Sequence, residues 1–202
     1  MSLPQHFCWT RYGTEAGESI ERILQRKEAE RAANRGTFLW GIGSALGPSI
    51  EALLGVTKSP KVIFSPIKSA PRAVDVRPER VVRWQMGVSF RGESYRLPDH
   101  SVVTSRASSA ARPHYALVCH SSEPLEMVAS GDSIDFDAVS NLVSGRRLGA
   151  SQVTAVVALN DSACERPRLY SVTMAVDLVA PYFVRLADPV TSSVDCERSE
   201  PR

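Results

Sequence analysis

Lysine is scarce in this chain of 202 residues. Four of the 24 basic residues are lysines (Lys27, Lys58, Lys61 and Lys68), and the other 20 are arginines. Long apolar runs are missing too: no window approaches the roughly 18 uninterrupted apolar residues of a membrane-spanning helix, which excludes one. Close-spaced metal ligands are lacking. Cys8, Cys119, Cys164 and Cys196 form no CxxC pair, and His6, His100, His114 and His120 are equally dispersed. Cys119 and His120 are adjacent, but neighbours on a strand point to opposite faces and cannot share a proton or a metal. A structural zinc needs converging ligands with at least one short-spaced pair, so no metal is expected. The opening MSLPQHFCWTRYG has no basic stretch followed by an apolar run. The expectation is therefore a cytoplasmic chain without a secretion signal, in which four cysteines do not imply disulfides. No internal repeat is visible, and nothing implies a cofactor.

What is present is an ordinary globular composition with an unusual charge layout. At 22.1 kDa and 43% apolar residues, the chain can bury a core without staples. Residues 1–187 read as a single domain and 188–202 as a polar, frayed tail. The net charge of +2 conceals an asymmetry: residues 1–120 carry 17 Arg and Lys against 10 Asp and Glu, and residues 121–202 carry 7 against 12. An arginine excess reflects either genomic base composition or bidentate recognition of carboxylate and phosphate. The asymmetry points to a ligand surface within residues 35–120, or to docking against the acidic half of the same protein.

Hydrophobic patterning supplies the elements. Residues 14–34 read as the clearest helix, with Ile20, Ile23 and Leu24 as a narrow apolar face, Thr14 or Ser19 as cap, Glu28 near Arg31, and Asn34 and Gly36 as its end. Residues 37–40 read as a short strand and 48–54 as a short helix opened by Pro48. Further strands are expected at 1–12, 61–65, 81–88, 115–119, 153–159, 169–177 and 178–186, the last bent around Pro181. An edge strand is expected within 95–104 and a short helix within 132–142. The run at 153–159 is the most apolar and reads as a central strand. Helices do not alternate with strands, which disfavours a doubly wound sheet. An α+β domain follows, with a small mixed curved sheet or β-barrel and peripheral helices.

Several segments could carry chemistry. Gly41-Ile-Gly-Ser-Ala-Leu-Gly sits between a strand and a helix, where free amides often hold anions. It is neither GxGxxG nor a Walker motif. It makes either a tight turn or a close backbone approach to a ligand, with Trp40 as a stacking platform for a flat group. Arg106 and Arg112 flank a run of serines and alanines, either an oxyanion clamp or a solubilising loop. His114 and His120 bracket the 115–119 strand as candidate acid or base, with Asp75, Glu79, Asp99 or Glu123 as candidate partner carboxylates. Arg77, Arg80 and Arg83 lead into the 81–88 strand and can face one way. Asp132, Asp135 and Asp137 lack the glycine and terminal glutamate of a calcium loop and read as helix caps. Gly87–Gly92 is not a nucleophile elbow.

Across roughly residues 7–160, the order of elements resembles the PUA-like group of small curved-sheet modules, including its EVE and ASCH branches. The stretches that carry the likeness are Phe38-Leu-Trp-Gly-Ile-Gly, Lys61-Val-Ile-Phe-Ser and His114-Tyr-Ala-Leu-Val-Cys. The resemblance implies a barrel-like sheet and a cleft holding a base or nucleotide, with Trp40, Gly41, Ser44 and Ser65 at cleft positions and Gly43 beside them. Two functional expectations result. One is a nucleic-acid or nucleotide-binding module, with Arg83, Arg106 and Arg112 on phosphates. The other is a small metal-independent enzyme acting on an anionic metabolite, with arginine anchors and His114 or His120 as acid or base. Beside these two stands a further reading from the charge asymmetry, a protein-interaction subunit whose docking it guides.

Overall fold

A computed structural model describes residues 3–13, 19–42, 45–67, 87–98, 114–127, 131–150, 152–160 and 166–186. The chain runs β1 (His6–Tyr12), α1 (Ile20–Ala33), β2 (Thr37–Ile42), α2 (Gly47–Val56), β3 (Lys61–Pro66), β4 (Gly87–Phe90), β5 (Glu93–Arg96), β6 (His114–His120) and β7 (Ser133–Asp135). A 3-10 turn (Phe136–Ala138), β8 (Val139–Asn141), β9 (Thr154–Leu159), β10 (Leu169–Ser171) and β11 (Met174–Leu186) follow. Seven strands form one mixed sheet in the order β2-β6-β11-β3-β1-β9-β8, and β4–β5 and β7–β10 form small two-stranded sheets. The parallel pair β1–β3 frames the crossover through α1, β2 and α2.

The α+β class holds, but the curved sheet or barrel does not: the sheet is open. Each edge has a local cover, so neither seeks the other. On β2, the backbone N–H of Leu39 donates to Glu30 Oε1 of α1 at 2.7 Å. On β8, Ser140 bridges to Arg147 and the N–H of Asn141 donates to the Arg146 carbonyl, so the strand is closed by its own following loop. The cleft geometry implied by a PUA-like barrel therefore has no barrel to rest on.

Both sheet faces are covered, which is why the strands read as nearly unbroken apolar runs. On the helix face, Cys8, Phe38, Trp40, Val62, Phe64, Leu117 and Cys119 pack with Ile23 of α1 and with Ile50 and Leu53 of α2. On the far face, Phe7, Trp9, Ile63 and Val157 pack under Ile134, Phe136 and Val172, beside a smaller cluster of Leu39, Leu97, Ala116, Val118 and Val184. This double cover also corrects the placement of the 153–159 run. As β9 it is next to the edge, and its apolarity reflects burial of Val156 on one face and of Ala155 and Val157 on the other.

Residues 169–186 divide differently from the two strands expected. Leu169–Ser171 is a short outer strand, and Met174–Leu186 is one long strand in the middle of the sheet. Its pairing to β6 jumps from Leu178↔Cys119 to Phe183↔Leu117, a bulge around Pro181 in which Tyr182 has φ +64° and packs edge-on against Phe90 of β4. The helix expected within 132–142 shrinks to the 3-10 turn, capped by Asp135, whose Oδ1 accepts from the N–H of Asp137. Among the described residues, no helix is long and apolar enough to cross a membrane.

Candidate functional site on the far face of the sheet

Strand alternation assembles a polar row at one end of the far face. His120 shares its face with Val118, and Thr37 shares its face with Leu39. Register sets Thr37 opposite His120, His120 opposite Asp177, and Asp177 opposite Lys61, across four adjacent strands. Directly opposed residues on paired strands put their side chains on the same side. Thr37 Oγ1 lies 3.5 Å from His120 Nδ1, and Lys61 Nζ is 2.5 Å from Asp177 Oδ1. The imidazole is half-buried, and its Nε2 has no hydrogen-bond partner among the described residues.

The turn from α1 to β2 closes on this imidazole. Gly36 has φ +92°, and a Cβ there would fall 2.6 Å from His120 Cε1 and 2.7 Å from the Ser121 carbonyl oxygen. Glycine is required on both counts. Arg31 donates to the Ser121 carbonyl and makes a two-point bond to Glu28, with Nη2 on Oε1 at 2.7 Å and Nε on Oε2 at 2.9 Å. That guanidinium holds the Glu28 carboxyl below its ordinary range. Arg35, with φ +52°, is exposed and has no ion pair among the described residues. An exposed cation is thus one residue from the glycine that packs on the imidazole, and a carboxylate is opposite that histidine in register, residue types able to hold an oxyanion and move a proton.

A second polar position lies on the same face. Arg11 of β1 is 3% exposed. Its Nε and Nη2 donate to the Gln152 carbonyl, Nη2 also donates to the Ala150 carbonyl at 2.9 Å, and Nη1 lies 3.4 Å from Tyr170 Oη. The guanidinium carbon is 5.7, 5.0 and 5.4 Å from the ring centres of Trp9, Phe136 and Tyr170. Ser65 is opposite Arg11 in register and accepts from Trp9 Nε1 at 3.0 Å.

The residues singled out from sequence scatter. Trp40 is in the helix-face core, its ring edge-on to Phe64 at 4.6 Å and to Tyr12 at 5.5 Å, so it is no open stacking platform. Gly41 pairs with Ala116 inside the sheet. Ser65 is buried next to Arg11. His114 begins β6 and His120 ends it, roughly 20 Å apart at about 3.3 Å per residue, so the two histidines do not share a site. Gly43, Ser44, Arg83, Arg106 and Arg112 lie outside the described residues, as do Asp75, Glu79 and Asp99. The Glu123 side chain is exposed, and its carbonyl accepts from Ser121 Oγ. Burial pushes the Cys8 thiol up to about 12 and the Cys119 thiol well above its ordinary range, which leaves both unreactive. Among the described residues, no three of His, Cys, Asp or Glu converge in a way that could hold a metal.

Sequence reasoning missed Thr37, Lys61 and Asp177 as partners of His120, and missed Arg11 altogether. The signal for Arg11 was a charge inside the apolar strand Phe7-Cys-Trp-Thr-Arg-Tyr. For the others only strand pairing carries the information. Comparison with protein-family models, with characterised proteins and with solved structures found no match.

Proposed function

We propose that the chain is a small, metal-independent cytoplasmic enzyme acting on an anionic metabolite, with His120 as its acid or base. The observation that carries this reading is the cross-strand row Thr37–His120–Asp177–Lys61, which sets an imidazole whose Nε2 has no hydrogen-bond partner among the described residues opposite a carboxylate in register. Thr37 Oγ1 orients the ring through Nδ1, and Asp177 stands opposite it in register. Lys61 balances Asp177, and Arg35, one residue before Gly36, anchors the substrate's negative group. The arginine anchors are thus drawn from the α1–β2 turn rather than from Arg106 or Arg112. The base-holding module is less well supported, because Trp40, its stacking residue, is enclosed by Tyr12 and Phe64.

The test is turnover of a panel of phosphate- and carboxylate-bearing metabolites by the full chain, with the fold of each variant checked by circular dichroism. His120→Ala is expected to lower kcat by about 100-fold or more, the usual span for a lost acid–base group, and Asp177→Asn by less. A folded His120→Ala protein that turns over at the native rate overturns the assignment. Salt-dependent binding of single-stranded DNA or RNA without any turnover replaces it with the binding-module reading.

A further inference from the structure

The Arg11 guanidinium is a buried positive charge with no carboxylate partner among the described residues. Buried charges are ordinarily paired, because carbonyl dipoles and aromatic faces recover only part of the lost hydration. The two acids that flank Phe136, a ring that Arg11 faces, are already committed. Asp137 holds Arg168, with Nη2 on Oδ1 at 2.5 Å and Nε on Oδ2 at 2.8 Å, and Asp135 Oδ1 accepts from the backbone N–H groups of Asp137 and Arg168. Arg168 also lies 4.5 Å from the centre of the Phe136 ring that Arg11 faces at 5.0 Å, so one ring serves two cations.

The donor inventory shows where an anion fits. Nε and Nη2 are occupied by the carbonyls of Gln152 and Ala150, whereas among the described residues Nη1 reaches Tyr170 Oη alone, at a long 3.4 Å. The Tyr170 hydroxyl accepts there and keeps its own proton to give. Tyr170 is half-buried, whereas Trp9, Arg11 and Phe136 are enclosed. We propose that Arg11 Nη1 and Tyr170 Oη form a binding site for a single oxyanion group, the carboxylate or phosphate of a small molecule. That group would supply the counter-charge that Arg11 lacks among the described residues, beside Tyr170 of β10. The site is separate from the His120 row: Ser65, opposite Arg11, is four residues along β3 from Lys61, roughly 13 Å away at about 3.3 Å per residue.

The experiment titrates the full chain with inorganic phosphate and, separately, with sodium acetate at constant ionic strength, using chloride as the control. The readouts are the Trp9 indole and Arg11 side-chain N–H resonances and the melting temperature. Saturable shifts with phosphate or acetate but not with chloride are expected, and whichever anion binds tighter identifies the group. Tyr170→Phe is expected to weaken binding about tenfold, the usual effect of a lost hydrogen bond to a charged partner, with the fold kept. Arg11→Met is expected to abolish the anion-specific rise in melting temperature. If that variant does not fold, Tyr170→Phe carries the test alone. Absence of saturable shifts with both anions, or native affinity in Tyr170→Phe, overturns the proposal.

Discussion

Lys27 and Glu30 are one helical turn apart on α1, and both are buried, at 4% and 3% side-chain exposure. Lys27 Nζ donates to Glu30 Oε2 at 2.8 Å, and Oε1 takes the edge N–H of Leu39. Burial lowers the ammonium's proton affinity, and the neighbouring carboxylate partly restores it. Removing one member leaves the other charged in an apolar surround, which costs about 3–5 kcal/mol. Lys27→Met is therefore expected to lose about that much in urea denaturation, and Lys27→Met with Glu30→Gln to recover part of it, since the amide oxygen still accepts from Leu39. These two residues also mark where sequence reading ends at this scale. Helical spacing identified α1 and its Glu28–Arg31 pair, but an apolar-stripe search takes Lys27 and Glu30 as solvent-facing. The buried stripe is in fact Ile23–Lys27–Glu30, because the helix packs its charged pair against a sheet edge that needs an acceptor.

At the scale of elements, the α1–β2 turn couples fold to site. Gly36→Ala adds a Cβ to a backbone at φ +92° and drives it into the His120 ring and the Ser121 carbonyl. A cost of about 2–4 kcal/mol follows from the strain and the contact together. Thermal denaturation reads that loss, and the turnover proposed for His120 is expected to fall further than stability alone explains, because the ring must shift. Strand positions were largely legible: 37–42, 61–66 and 114–120 are apolar on both faces and bounded by glycine or proline. Strand order was not. Whether a sheet closes depends on what covers its edges, and the covers here are a carboxylate on α1 and a loop folding back on β8, neither of which leaves a periodic trace. The division of 169–186 at Val172–Thr173, rather than after Asp177, likewise left no periodic trace. For the site, the histidine was visible and its partners were not, since they come from strands far apart in sequence.

For the whole molecule, the charge asymmetry resolves into few long-range bonds. Among the described ion pairs, Lys61–Asp177 joins the basic half to the acidic half, whereas Arg31–Glu28, Arg91–Glu51 and Arg168–Asp137 each stay within one half. The two halves are held instead by strand pairing, with β11 between β6 and β3 and β9 against β1. Truncation before Met174 would leave a β2–β6 pair detached from a β3–β1–β9–β8 sheet, and cooperative unfolding by circular dichroism is expected to disappear. Ending the chain at residue 187 is expected to preserve the native melting temperature to within a few degrees, since β11 stays whole.

The same strand governs how the chain is made. At about 5–20 residues per second, synthesis from Pro66, where β3 ends, to Leu186, where β11 ends, takes roughly 6–24 s. Throughout that time β3 waits with an unpaired edge, and once β6 is made it waits likewise for roughly the last 3–13 s, the form in which strands recruit other chains. The vulnerable species is thus the nascent polypeptide rather than the finished protein. Slower translation or weaker chaperone cover would be expected to lower its yield without any change in the stability of what does fold.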